Sequence, residues 1–383
     1  MPNWTKEQED AIYKDGTNII VSAGAGSGKT AVLSERVLRK LKNGVNIDEL
    51  LILTFTKAAA GEMKERIRKK ISKEPSLNEQ LDKIDNAYIT TFDSFALSIL
   101  KKYSHLLNVS KNVSIIEQSI IDLKKEEIID WLFEELYAEK NQSFLSLIDT
   151  FCTKDDGEIK RYIIDINNKL DLLYNKDSYL SDYLENYFND AYIDEKIKEY
   201  EELLLNKLGI INGFICELEE LVDGEYFEKV NNSIGELLIA SSYEDIRNNL
   251  NTLPTLPKGT EEDAKILKDK INNLLKELKS LCIYKDKNDI KDSIYKTKDI
   301  TSSIIGVITR LDSHINKYKF EIDSYEFVDI AKMAIKVLEE NEEVRNEIRN
   351  SFNEILIDEY QDTSDLQDLF ISYIENNNVY MVG

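Results

Sequence analysis

The chain has 383 residues, 42% of them hydrophobic, 9% aromatic and 32% charged, which excludes a disordered chain, a collagen-like repeat or a membrane-spanning protein and suits two or three globular domains. Three cysteines (Cys152, Cys216, Cys282) and two histidines (His105, His314) are too sparse for zinc or iron–sulfur spacing. The net charge of -23 argues against a nucleic-acid partner across most of the surface, but it is uneven: residues 1–110 carry 17 Lys+Arg against 14 Asp+Glu, and residues 111–383 carry 32 against 58. No run of 18 apolar residues occurs, and the start MPNWTKEQEDAIYKDG lacks the pattern of a secretory signal, so the expectation is a cytoplasmic protein with no membrane partner.

In chain order, NIIVSA (18–23), LLILTF (50–55) and AYITTF (87–92) are short apolar runs, each followed by a helical pattern. Strands alternating with helices predict βαβ units and a parallel sheet. Gly and Pro together make only 18 of 383 residues, and residues 111–350 read as helix almost throughout, with Ile128, Leu132 and Leu136 on one stripe and Ile129 and Phe133 beside it. Leu267, Ile271, Leu274, Leu278 and Leu281 have the spacing of a coiled-coil seam, read as two helices packed in a bundle. Pro254 and Pro257 break this region and suggest two helical subdomains divided near 251–260. The strand grammar returns in EILIDE (354–359) and NVYMVG (378–383). The expected fold is therefore α/β, a parallel sheet with a large all-helical insertion: residues 1–110 and 350–383 form the sheet domain, and 111–349 form an arm.

Ser22–Thr30 reads SAGAGSGKT between a strand and a helix. Small residues at Ala23, Gly24, Ala25, Gly26, Ser27 and Gly28 let the backbone wrap a polyphosphate, Lys29 reaches its β and γ groups, and the Thr30 hydroxyl suits Mg2+. Ala23 stands where the strict pattern has glycine, and a glycine-rich strand-to-helix turn is the alternative to a nucleotide site. ILIDEYQDT supplies an acidic pair after a strand: Asp358 suits the metal, and Glu359 suits activation of the attacking water. In a chain with 72 acidic residues an ordinary acidic loop is the alternative.

Taken together, AGAGSGKT, TFTKAAAGEMKERI, TTFDSFALSIL and IDEYQDTSDLQ resemble the UvrD/Rep-type superfamily 1 helicases, and the EYQDT form with a long preceding insertion is most similar to their AddA branch of helicase–nuclease subunits. The resemblance covers about 1–110 and 350–383. It implies a RecA-like domain using ATP and Mg2+, with Lys29, Asp358 and Glu359 catalytic, Thr30 and Asp358 at the metal, and Gln8 of WTKEQ reading adenine. By the same resemblance Thr54, Phe55, Thr56, Thr91, Phe92 and Ser94 contact single-stranded DNA, although Asp93 stands where histidine is usual. SYEFVDIAKMAIKVL (324–338) is similar to the segment leading back from the insertion, with Phe327 structural and Ile330, Ala334 and Leu338 buried. Gln361 and Asp362 match an extended acidic motif, with capping of the following helix by 363–365 as the alternative.

The chain reads as an N-terminal fragment, its second motor domain, arginine fingers and nuclease lying beyond Gly383. The expected whole is an ATP-dependent helicase with exonuclease activity that acts on single- and double-stranded DNA in break repair beside an AddB-type subunit. The fragment itself is expected to bind Mg-ATP without full turnover. A Rep-type helicase without nuclease and a non-catalytic partner-binding module are the competing readings.

Overall fold

The computed structural model describes residues 4–24, 26 and 28–383. Its elements in chain order are α1 (Lys6–Tyr13), β1 (Ile19–Val21), α2 (Lys29–Lys42), β2 (Leu50–Thr54), α3 (Lys57–Ile71), α4 (Asn78–Lys83), β3 (Tyr88–Thr91), α5 (Phe92–Lys102), β4 (Ser114–Ile115), α6 (Gln118–Glu139), α7 (Gln142–Phe151), α8 (Gly157–Leu170), α9 (Lys176–Tyr187) and α10 (Asp190–Leu221). Then follow α11 (Gly224–Leu238), α12 (Tyr243–Asn249), α13 (Glu262–Leu281), α14 (Lys287–Lys296), α15 (Lys298–Glu321), β5 (Ser324–Tyr325), α16 (Phe327–Glu340), α17 (Glu342–Ser351), β6 (Glu354–Ile357), α18 (Asp365–Ile374) and β7 (Val379–Val382). The chain divides into a unit made of residues 1–135, 160–176 and 308–383 and a helical unit made of 136–159 and 177–307.

Five parallel strands in the order β1-β7-β6-β2-β3 form the sheet. Both ends of the sequence therefore meet in one ladder, with Leu50 beside Glu354 and Ile19 beside Tyr380. The central strands β2 and β6 are buried along their whole length, as strands covered by helices on both faces must be. Alternation then sends neighbouring residues to opposite cores. Leu51, Leu53, Ile355 and Ile357 pack with α5, α16 and α18, while Leu50, Ile52 and Leu356 pack with α2 and α3. A side chain of this kind gains about 1.5–3 kcal/mol on full burial, so these two faces dominate the unit's stability.

The segment 111–350 is helical as the pattern predicts, apart from β4 and β5, which form a short parallel pair that two-residue runs could not announce. Ile128, Ile129, Leu132, Phe133 and Leu136 are all buried, as are Ile330, Ala334 and Leu338. Phe327 differs from expectation: it opens α16 with its ring 47% exposed, because the first helical position lies ahead of the stripe that begins at Ile330. In α13 the buried face is Ala264, Leu267, Ile271, Leu275 and Leu278, packed on α10, with Leu274 and Leu281 only partly buried. That stripe follows the straight-helix period rather than a seam, which places Leu275 inside in place of Leu274. Residues on both sides of the proline break, Ile246 and Leu253 with Ala264 and Leu267, share one apolar core. Among the described residues no helix is long and apolar enough to cross a membrane.

Candidate nucleotide site

The loop after β1 turns through left-handed backbone at Gly26 (φ 78°) and Gly28 (φ 88°), which glycine alone adopts without strain. Gly28 caps α2 with no side-chain hydrogen bond, so the positive end of the helix dipole is left for the loop, and Lys29 and Thr30 form the helix's first turn. Ala25 and Ser27 lie outside the described residues. The amide of Ala23 donates to the Gly383 carbonyl at 2.9 Å, tying the loop's start to the end of β7.

Gln8 approaches from α1. Thr5 and Gln8 form a capping box, Thr5 N–H donating to Gln8 Oε1 at 3.0 Å, and Gln8 Nε2 lies 3.6 Å from where a Cβ on Gly28 would stand. The helix-start role and proximity to the loop thus coexist in one side chain. A cavity of about 410 Å³ opens here, lined by Thr5, Gln8, Ala11, Ala23, Lys29 and Val32 among others. It pairs an apolar floor with an amide and an ammonium at its rim.

The opposite end of the chain completes the cluster. Beyond Ile357, Asp358 is held by its N–H donating to the Leu53 carbonyl at 3.0 Å, and its side chain is buried (7% exposed) with Oδ1 lacking any hydrogen-bond partner. Burial, reinforced by the neighbouring Glu359 charge, raises the Asp358 carboxyl above the usual carboxylate range, while Lys29 and Arg66 pull the other way. Glu359 adopts left-handed backbone (φ 57°), uncommon outside glycine, and this turns its carboxylate out of the strand line. Its Oε2 lies 3.7 Å from Lys29 Nζ and accepts from Gln361 Nε2 at 2.6 Å. A buried carboxylate oxygen without a protein donor, beside a lysine, fits a hard cation, and Thr30 and Asp358 are the residues that would hold Mg2+, which would neutralise developing phosphate charge.

Gln361 sits in the short turn Tyr360–Asp362, where Asp362 N–H donates to the Glu359 carbonyl. Ser364, within the 363–365 stretch read as the capping alternative, caps α18 in a capping box with Gln367. Gly383 escaped the sequence reading as a site residue: a Cβ there would fall 2.7 Å from Gln361 Oε1 and 3.0 Å from its backbone nitrogen, so a larger residue would make the Gln361 side chain move and its turn give way by a few tenths of an ångström. Also missed were Arg36 and Glu354, a buried ion pair behind the site. The signals were an arginine on the apolar stripe of α2, three residues after Leu33 and next to Val37, and a glutamate opening an otherwise apolar strand.

The second set of residues gathers at the adjacent strand ends, since Thr54 and Thr91 are register partners. Phe55 and Phe92 meet at 5.8 Å, but Phe92 is 4% exposed and belongs to the core, leaving the half-buried Phe55 as the ring nearer solvent. The hydroxyls serve the backbone: Thr54 donates to the Thr56 carbonyl, Thr56 caps α3, and Thr91 caps α5 while donating to Ser94 Oγ. Asp93 is half-buried and its carboxyl is raised by burial, with Lys57 opposing. Of the basic cluster on α3 and just after it, Lys64, Arg68 and Lys70 pair with Asp85, Glu65 or Glu35, whereas Lys57, Arg66, Lys69 and Lys73 have no ion pair among the described residues.

A loop at the N-terminal end of a helix, a lysine beside a carboxylate pair and a parallel sheet behind them define a nucleotide-binding type of site. The sequence model of the UvrD/REP helicase N-terminal domain matches residues 4–383, and the chain belongs to that family. Similar proteins include the A-type subunit of the ATP-dependent helicase/nuclease of Clostridioides difficile strain 630, 30% identical over all of this chain and 34% of its own length. The protein of the same name from Clostridium novyi strain NT is 31% identical over 99% of this chain and 34% of its own length, and that of Clostridium kluyveri is 30% identical with the same coverage. The chain spans about a third of the length of these relatives.

Proposed function

We propose that this chain is the first, RecA-like motor domain of an ATP-dependent DNA helicase–nuclease subunit, carrying a helical arm between its two sheet-forming segments. The observation that carries the reading is the meeting of Lys29 with Glu359, 3.7 Å apart from opposite ends of the sequence, beside the unpartnered Asp358 oxygen. In this reading the loop 23–30 cradles the triphosphate of Mg-ATP, Gln8 reads the adenine edge, Thr30 and Asp358 hold Mg2+, and Glu359 accepts the proton of the attacking water. The Lys29–Glu359 contact opens when the lysine turns to phosphate. Phe55, Thr56 and the basic face of α3 take single-stranded DNA, with Thr54, Thr91, Phe92 and Ser94 shaping that edge from behind.

The relatives' names, which join helicase and nuclease in one ATP-dependent protein, favour a whole that translocates on single-stranded DNA, processes double-strand breaks and pairs with an AddB-type subunit. The chain by itself binds Mg-ATP with little turnover, because the site described contributes one flank of the phosphates and an arginine from a facing domain typically supplies roughly 10³–10⁵ in rate. Calorimetric titration with Mg-ATP, with single-stranded-DNA-stimulated hydrolysis alongside, tests this. Binding that Lys29→Ala abolishes, with hydrolysis near background, is expected; unchanged affinity in Lys29→Ala removes the site assignment, and strong Lys29-dependent turnover removes the half-motor reading.

A further inference from the structure

We infer that Arg36 is the positioning residue for base recognition: it pins α1, and through α1 the Gln8 amide, to the helix that follows the phosphate loop. The inference rests on reading Gln8 and Lys29 as parts of one ATP site. Arg36 is 0% exposed and its five N–H groups all have acceptors. Nε and Nη2 grip Glu354 at 2.9 and 2.5 Å, Nη2 also reaches Asp15 at 3.2 Å, and Nη1 donates to the carbonyls of Ala11 and Ile12 at 3.0 and 3.3 Å. The guanidinium lies 4.3 Å from the centre of the Tyr380 ring. One side chain therefore joins the C-terminal end of α1, the segment after it, the first residue of β6 and the middle of β7.

The need for such a joint follows from the size of α1. Eight residues are too few to persist alone in water, and its apolar anchorage is small: Ala11 and Ile12 against Val32, with Trp4 and Val21 alongside. Its last carbonyls have lost their helical partners, and Arg36 supplies the missing donors, assisted by Arg39, whose Nη1 donates to the Ile12 carbonyl at 2.9 Å. Gln8 lies one turn before those carbonyls. Arg36 does not touch the nucleotide, since Glu354 opens β6 and Asp358 follows its last residue, four residues or roughly 13 Å away. Its effect is transmitted through α1, and it falls on the base and not on the phosphates.

Binding of Mg-ATP and of Mg-tripolyphosphate to the whole chain separates these possibilities. Lysine keeps the charge beside Glu354 but has too few donors for all five acceptors. Arg36→Lys should weaken ATP about tenfold while leaving tripolyphosphate unchanged, and adding Gln8→Ala to it should cost little more, because the two act in series. Equal loss for both probes, or ATP affinity retained, overturns the inference. A wild-type chain that binds both probes alike overturns the base-site reading itself, a result distinguishable from a wild-type preference that survives Arg36→Lys. Should Arg36→Lys lose its near-ultraviolet dichroism, Arg39→Gln leaves the buried pair intact and should give a smaller loss, about threefold, confined to ATP; no selective loss there overturns the proposal.

Discussion

The two units handle polar groups in opposite ways. In the helical unit, 18 Lys+Arg and 32 Asp+Glu lie mostly outside and are settled locally: Asn189, Asp223, Ser242 and Asp286 cap their own helices, and Lys196–Glu199, Lys229–Glu225 and Lys265–Glu262 pair within a turn. In the sheet unit, Asp358 Oδ1 just after β6, Thr363 Oγ1 after the turn that follows and Tyr380 Oη within β7 are buried without partners, and burial drives the Tyr380 phenol up to about 12. Among the described residues the helical unit leaves one buried side-chain atom without a hydrogen-bond partner, Arg247 Nε, whereas the sheet unit leaves seven. Chemistry is therefore expected at the sheet edge, and the helical unit should tolerate damage without affecting nucleotide.

The largest break in this contrast is at a buried ionic network within the sheet unit. Lys125, 2% exposed, donates to Asn168 at 2.7 Å and Asp171 at 2.9 Å, and Lys176 links Asp171 to Asp312. Lys125→Met strands part of the Asp171 charge and should destabilise by about 3–5 kcal/mol, read by chemical denaturation. Close behind, Leu278→Ala in α13 removes a fully buried side chain from the helical core and should cost about 2–5 kcal/mol there. Mg-ATP affinity should be untouched at temperatures where the variant is folded; a fall of more than a few-fold would show that the helical core supports the nucleotide site.

Much of the fold was legible because its signals were local. The five sheet strands, three to five residues long, fall within the six-residue segments 18–23, 50–55, 87–92, 354–359 and 378–383, and the glycines of 24–28 announced a turn where left-handed backbone is in fact needed. The carboxylate pair could be named from ILIDE because a strand end delivers consecutive residues to the same edge. What escaped depends on contacts distant in sequence. β4 and β5 are two residues each and exist only as partners of one another. Arg36 and Glu354 stand 318 residues apart and meet only through the sheet, and Phe92, a motif residue by position, is core because α5 turns that ring inward. Periodicity also chose Leu274 over Leu275 because a short heptad run and a 3.6-residue stripe differ by one position over two turns.

A smaller test distinguishes structural from DNA-facing roles at the strand ends. Thr91 caps α5 with its hydroxyl, so Thr91→Ala should cost about 1 kcal/mol of stability, and Thr91→Ser, which keeps the cap, should cost less. If Thr91→Ser instead weakens single-stranded DNA as strongly as Thr91→Ala, by fluorescence anisotropy, the methyl group that both variants lack faces the strand and the hydroxyl serves the cap alone.

The smallest effect expected is at Asp15, the outermost acceptor of the Arg36 joint. Burial pushes its carboxyl up, but hydrogen bonds and charge from Arg39 and Lys40 outweigh that and hold it down at about 2, against an ordinary 3.8. A depressed acid stabilises the fold above its unfolded value and loses that contribution as pH falls through its folded one, so the window lies between about pH 4 and pH 2. The side chain is 41% exposed, and solvent screening limits the gain to below about 1 kcal/mol. Asp15→Asn should therefore lower the melting temperature slightly at pH 7 and converge with wild type as the pH approaches 2. A difference that instead widened on acidification would mean that Arg39 and Lys40 are held by other carboxylates, with Glu354, 3.2 Å from Lys40, the first to substitute.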